Sequence, residues 1–222
     1  MTRKTCPPAH RSCSGPPSFD VLDRLALPLL RPALGLAARA LQRFGVHADQ
    51  VTLAGFALGM AASLAIALDH AWVGLVLMLI SRVLDGVDGA LARLTAPTDR
   101  GGFLDITLDF LFYASVPLAF ALVHPAANAL PAAVLLAAFI GTATTFLAFA
   151  ALAAQRGLKN VAFPNKGIYY LGGLTEATET LICFALMCVW PAYFAPFAYS
   201  FAALCGLTIG TRLWAGWRAF SD

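Results

Sequence analysis

The chain has 222 residues, 59% of them hydrophobic and only 12% charged, with a mean hydropathy of +0.74. Its charged share is about half the ~25% usual in soluble domains, which excludes an ordinary soluble globule, and a formal net charge of +3 is too small to indicate nucleic-acid binding. At ~20 residues per membrane crossing, the length accommodates roughly six spans, a tail and short loops, so no separate soluble domain fits.

Residues 1–17, MTRKTCPPAHRSCSGPP, carry basic side chains with no apolar stretch behind them. They read as a disordered cytoplasmic tail and not as a cleavable signal peptide. Cys6, His10 and Cys13 have metal-binding chemistry, but their Pro/Ser/Gly-rich setting favours the tail. Over residues 18–44, Asp23, Arg24, Arg31, Arg39 and Arg43 interrupt leucines at helical spacing. This pattern predicts an amphipathic interfacial helix lying on the membrane, bent at Pro28 and Pro32.

Residues 45–222 form the expected six-span unit. Span one, 51–68, is uncharged, opens at Asp49 as N-cap and carries Gly55 and Gly59 at the spacing of close helix contacts. After a short turn at Asp69-His70, span two covers about 71–94 and span three about 102–123, ending at His124-Pro125. Span four is the long uncharged run 126–154; spans five and six cover about 168–189 and 192–211. Cys183, Cys188 and Cys205 fall in apolar stretches as small hydrophobes, and the odd total of five cysteines implies no disulfide framework.

The Lys and Arg residues sit before span one, in and after span two, between spans four and five, and at the end of span six. None lies in the loops after spans one, three or five. By the positive-inside rule both termini are cytoplasmic, as expected in a bacterial inner membrane.

A carboxylate in a span costs about 2.5–3.5 kcal/mol on insertion scales, yet spans two and three hold four. Asp85 and Asp88 are three residues apart and Asp105 and Asp109 four apart, so each pair shares a helix face. The short connection from Thr95 to Gly101 makes the spans an antiparallel hairpin and brings the pairs together near its cytoplasmic end. Such an oxygen-rich cluster suits one or two hard divalent cations. The competing structural reading pairs the acids with Arg82, Arg93 and Arg100 in a packing network, but so few arginines match four acids poorly. Gly86, Gly89 and Ala92 leave space on the acid-bearing helix for a ligand or for another backbone.

Asp85-x-x-Asp88-Gly89-x-x-Ala92-Arg93, followed by Gly101-x-x-x-Asp105-x-x-x-Asp109, resembles the signature of the CDP-alcohol phosphotransferase (phosphatidyltransferase) family. Its members are six-helix integral membrane enzymes that make phospholipids. The interval Leu94 to Arg100 is one residue shorter than the family's usual eight, and Ala48-Asp49-Gln50-Val51-Thr52 matches only in part the Pro-Asn-x-Val-Thr start often found before span one.

The resemblance implies transfer of a phosphatidyl group from a CDP-alcohol, CDP-diacylglycerol foremost, to a small hydroxyl acceptor with release of CMP. Two divalent cations, Mg²⁺ or Mn²⁺, are implied on Asp85, Asp88, Asp105 and Asp109. Asp109 doubles as general base on the acceptor hydroxyl. Gly89, Ala92, Arg93 and Gly101 are the implied substrate-binding positions, and a homodimer whose site faces the cytoplasm is expected.

Glu176 and Glu179 in span five are candidates for acceptor recognition, or for pairing with Arg82 or a neighbour such as Thr142. Arg100, Arg156, Lys159 and Lys166 on the same side could bind an acceptor phosphate, or could simply reflect topology. Two rival functions stand beside the enzyme: a cation transporter whose aspartates form the ion site, which an arginine beside the pathway opposes, and an inactive scaffold, which the intact aspartates oppose.

Overall fold

The computed structural model describes residues 21–156, 175 and 177–221. Within them lie seven α-helices and no strand: α1 (Val21–Arg43), α2 (Ala48–Ala67), α3 (Ala71–Thr95), α4 (Asp99–Val123), α5 (Pro125–Gln155), α6 (Ala177–Val189) and α7 (Phe194–Ala219), the last preceded by a single 3-10 turn at Pro191–Tyr193. Four stretches, α2, α4, α5 and Pro191–Ala219, are long and apolar enough to cross a membrane. The fold is therefore all-helical and multi-pass. Cys6, His10, Cys13, Lys159, Lys166, Glu176 and the first part of span five lie outside the described residues.

α1 runs through Pro28 and Pro32 and ends at Gly45, whose φ of +72° is the left-handed conformation that glycine takes at least cost. The Val46 N–H closes the end by donating to the Leu41 carbonyl at 3.1 Å. α2 starts one turn earlier than the uncharged run suggests. Its N-cap is His47 and not Asp49, because the Gln50 side chain reaches back to accept from the His47 N–H at 3.0 Å. Asp49 is left to form an ion pair with Arg100. Asp69 turns the chain into α3 with φ +64°, which Asp adopts more readily than most residues.

Polar residues inside the apolar helices are largely satisfied by their own helix. Thr52 and Ser63 donate to the carbonyls of Ala48 and Gly59, and Thr144 and Thr145 to those of Ile140 and Gly141, which removes most of the cost of hydroxyls in lipid. Pro125 opens α5 at a position needing no N–H partner. α7 extends eight residues beyond the expected end of span six. Its final turns carry Arg212, whose Nη1 donates to the Thr142 carbonyl at 3.1 Å, and Arg218, whose guanidinium lies 3.8 Å from the Trp214 ring centroid. Charges held this way do not end a helix, although they end an apolar run.

α2 lies against both α3 and α4, α1 packs on α3, and α5 pairs with α7. A large core of Phe112, Phe120, Leu135, Phe184, Phe194 and Phe201 joins α2 through α7, while a smaller one (Ala38, Val51, Val87, Leu91) seats α1 over α2 and α3.

Candidate active site

The site is built where α3 runs into α4. α3 ends at Thr95 and α4 begins at Asp99, so the connection is shorter than the Thr95 to Gly101 interval suggests. Thr98 caps α4 by accepting from the Gly101 N–H at 3.0 Å. This tight turn sets the two acid-bearing faces opposite each other. Each of Asp85, Asp105 and Asp109 presents one carboxylate oxygen to a common centre, all within 4.8 Å of one another. Asp88, one turn along α3, is only 5% exposed, and its Oδ2 is buried without a hydrogen-bond partner.

The frame around these acids is close-packed. α2 approaches α3 closely at Gly55, where a Cβ would just reach van der Waals contact, 3.4 Å from Leu84 Cβ and 3.5 Å from the Ser81 carbonyl. Ser81 Oγ in turn donates to the Gly55 carbonyl at 2.7 Å, locking α2 to α3. Thr52, Gly55, Phe56 and Leu108 complete a small cavity with Arg82, Asp85, Asp105 and Asp109.

The three arginines weighed as packing partners for the acids separate in space. Arg82 Nη1 donates to Asp109 Oδ1 at 2.6 Å and lies 3.6 Å from Asp85 Oδ1, while its guanidinium carbon sits 4.5 Å from the Phe112 ring centroid. Arg100 goes to Asp49. Arg93 is exposed at the end of α3, with its guanidinium 3.5 Å from where a Cβ on Gly89 would stand.

The glycines separate too. Gly86 faces α1, where a Cβ would meet Leu34 at 3.0 Å, so its smallness serves helix packing. A Cβ on Gly89 would meet only Arg93. Gly101 lies beneath the Thr98 hydroxyl and the Asp49 carboxylate, 3.1 and 3.2 Å from an added Cβ. Ala92 is half-buried between the Gly89 and Arg93 positions on α3, and Glu179 is half-buried in the first turn of α6.

One guanidinium among four carboxylates leaves the site strongly anionic, and a low-dielectric setting makes that imbalance costly. The three converging carboxylate oxygens are a donor set that a hard divalent cation fits, while Asp88 lies outside that group, its Oδ2 buried and unpartnered one turn along α3. Of the three arginines offered as partners for the acids, Arg82 is the one that pairs with Asp109 and Asp85, as its place three residues before Asp85 on the same helix face allows. Thr52 is legible only as part of the partly matched Ala48–Thr52 start, because its place beside the acids depends on how α2 packs.

The molecule is thus a multi-pass helical membrane protein with a carboxylate cluster built into a helix hairpin. Residues 45–214 match the model of the CDP-alcohol phosphatidyltransferase family, and the chain belongs to that family: it is a transferase of substituted phosphate groups. It is 52% identical to inner membrane protein YnjF of Escherichia coli (strain K12) over 197 residues, 89% of this chain and 96% of that protein. The fold is similar to Mycobacterium tuberculosis phosphatidylinositol phosphate synthase (PgsA1) with CDP-DAG bound, at TM-score 0.63 and 24% identity over 83% of this chain and 93% of that one. The same synthase in complex with manganese and citrate gives TM-score 0.64 at 23% identity, over 83% and 88% of the two chains.

Proposed function

We propose that this chain transfers the phosphoalcohol group of a CDP-alcohol, CDP-diacylglycerol foremost, to a small hydroxyl acceptor and releases CMP. The observation that carries the reading is the convergence of Asp85, Asp105 and Asp109 within 4.8 Å, beside the buried, unpartnered Oδ2 of Asp88. Asp85, Asp88, Asp105 and Asp109 are the residues that would hold two divalent cations. Such ions, when bound, offset the negative charge of the pyrophosphate and of the departing CMP. The manganese complex and the CDP-DAG complex of PgsA1 lend the reading support from a protein of the same fold.

The chain's own groups supply the rest. The Asp109 carboxylate takes the proton of the acceptor hydroxyl as its oxygen bonds to phosphorus and the bond from phosphorus to the CMP oxygen breaks. Arg93, exposed at the end of α3, offers its guanidinium to the donor phosphates, Gly89 and Ala92 keep the surface beside it low enough for a nucleotide to approach, and Gly101, at the start of α4, is the fourth substrate-binding position. Arg82 inside the cluster weighs against the cation-transporter reading, since a fixed positive charge opposes cation passage.

The distribution of Lys and Arg supports six spans with the site facing the cytoplasm, α3 and a span ending in α6 adding to the four long apolar stretches, and α1 lying along the surface. The test is CMP release by the purified chain from labelled CDP-diacylglycerol with Mn²⁺ and a panel of acceptors: glycerol 3-phosphate, an inositol phosphate, serine and a phospholipid. Release with one acceptor and its reversible loss in EDTA is the expected result. Full activity in EDTA overturns the metal assignment, and no release with any acceptor or CDP-alcohol overturns the reaction.

A further inference from the structure

The most unusual group in the site is Arg82, a cation set inside a cluster suited to binding cations. Its Nη1 holds Asp109 Oδ1 at 2.6 Å and stands 3.6 Å from Asp85, two of the three carboxylates whose oxygens converge. Its side chain is only 13% exposed, yet its Nε is buried with no hydrogen-bond partner. An arginine placed only for packing would be expected to use its full fork of donors. This one makes a single short contact with the acids and a longer one from Nη2 to Ser81 Oγ at 3.3 Å, leaves Nε unused, and is otherwise held by Coulomb attraction and by aromatic faces, 4.5 Å from the Phe112 centroid and 5.9 Å from that of Tyr113.

We propose that Arg82 is a built-in counter-cation that competes with divalent metal for Asp109 and Asp85, and so sets the metal affinity of the site. The inference rests on the metal reading above. Four clustered carboxylates repel one another, and Arg82 relieves part of that repulsion while the helices assemble. A divalent cation seeking the same oxygens meets both an occupied ligand and a like charge. The Phe112 and Tyr113 rings keep the guanidinium close when the carboxylates are otherwise engaged, so that the site can be neutralised in either state. Arg82 is thus a positioning residue whose effect on metal binding has a definite sign: its removal strengthens binding, because the metal-free form loses its cation and the bound form loses a repulsion.

The test uses the full-length protein in detergent micelles, stripped with EDTA and titrated with Mn²⁺ alone. Free Mn²⁺ is followed by electron paramagnetic resonance, and thermal unfolding is recorded with and without the ion. Arg82→Gln should bind Mn²⁺ about tenfold more tightly than the parent. Its melting temperature should fall below the parent's without metal and recover with saturating Mn²⁺. Arg82→Lys keeps the charge but neither the fork nor the flat stack, so its Kd should fall by a smaller factor. If Arg82→Gln unfolds when stripped, Arg82→Lys carries the test. Unchanged or weaker Mn²⁺ binding in these variants, with normal binding by the parent, overturns the competition and leaves Arg82 as a packing residue. A parent that binds no Mn²⁺ overturns the metal reading itself, and this inference with it.

Discussion

The helices that carry the acids and the helices that face them are joined by different means. Between α2, α3 and α4 the contacts are close and hydrogen-bonded: Ser81 Oγ to the Gly55 carbonyl at 2.7 Å, Ser63 Oγ to Ser115 Oγ at 2.6 Å, and Gly59 so near Phe112 that a Cβ would stand 2.8 Å from its ring. Between α4, α5, α6 and α7 the packing is mainly aromatic, with Phe120 stacked on Phe194 at 4.9 Å and Phe139 edge-on to Phe184 and Phe201 at 6.1 and 6.2 Å. Long side chains make hydrogen bonds there, Asn128 Nδ2 to the Phe120 carbonyl at 3.0 Å and Arg212 Nη1 to the Thr142 carbonyl at 3.1 Å. Aromatic packing tolerates small slides, whereas a hydroxyl on a neighbouring backbone carbonyl fixes both the separation and the rotation of two helices. Carboxylates that must share a ligand within fractions of an ångström belong on the second kind of frame.

Changing the polar groups themselves should have the largest effect. Asp85→Asn, Asp88→Asn or Asp105→Asn should lower CMP release about a hundredfold or more while the protein stays folded in detergent, as judged by circular dichroism and gel filtration. In the aromatic half, Thr145→Val deletes a hydroxyl bonded only to the Gly141 and Thr142 carbonyls of its own helix. Its turnover should remain within about twofold of the parent. Equal losses in both halves would remove the distinction drawn between them.

Asp109→Asn separates two roles within the site. As the general base, Asp109 should matter to turnover more than to binding, with CMP release down about a hundredfold and CDP-lipid affinity within about tenfold, roughly 1.4 kcal/mol. If affinity and turnover fall together, and raised Mn²⁺ restores part of the activity, Asp109 acts chiefly as a ligand.

A smaller effect separates two glycines. At Gly59 an added methyl meets the fully buried Phe112 ring at 2.8 Å and Ser81 Oγ at 3.1 Å, with no flexible end to move aside. Gly59→Ala should cost about 1–3 kcal/mol of stability and disturb the acids through α3. At Gly141 the obstacle is Ile209 Cδ1 at 2.5 Å, the free tip of a half-buried side chain. Gly141→Ala should cost less than about 1 kcal/mol, because alanine's better helix propensity offsets the shift of one rotamer. Melting of the two variants in the same detergent decides the matter.

What was legible in the sequence follows the same division. Long, predominantly apolar runs give α2, α4 and α5 to within about three residues at either end, because lipid demands such a stretch even where α4 carries the site acids. The two acid pairs are legible because helical spacing is fixed by the backbone. Pairings across helices are not: Asp49 reads as an N-cap on local sequence alone, and only the packing of α2 against α4 shows that Arg100 claims it while Gln50 serves the cap. Arg82 likewise reads as one of three arginines that could pair with the acids, and only the placing of α4 against α3 shows that it, rather than Arg93 or Arg100, meets Asp109. Hydropathy ends span six near residue 211, eight residues before α7 ends, because it marks where the lipid ends and not where the helix does.

The smallest expected effect concerns the turn on which the hairpin depends. Ala96 leaves α3 with φ +118°, a region L-residues rarely enter, and it stands before Pro97, which itself favours extended backbone with negative φ in its predecessor. The connection is also one residue shorter than is usual in the family. Ala96→Gly should relieve the strain and stabilise the protein by about 0.5–1 kcal/mol, part of the gain being lost to the greater freedom of glycine in the unfolded chain. Turnover should stay within about twofold, since no site residue moves. Inserting one residue between Pro97 and Thr98 restores the usual interval and preserves the cap, because the Thr98 hydroxyl keeps its position relative to the Gly101 N–H. The insertion should also be tolerated, the extra length being absorbed outside both helices. If the insertion mutant folds and expresses normally yet loses all CMP release, the tight turn is holding α3 and α4 in the register that brings Asp85 to Asp105 and Asp109. The frame around the acids would then extend beyond the helix contacts to the turn itself.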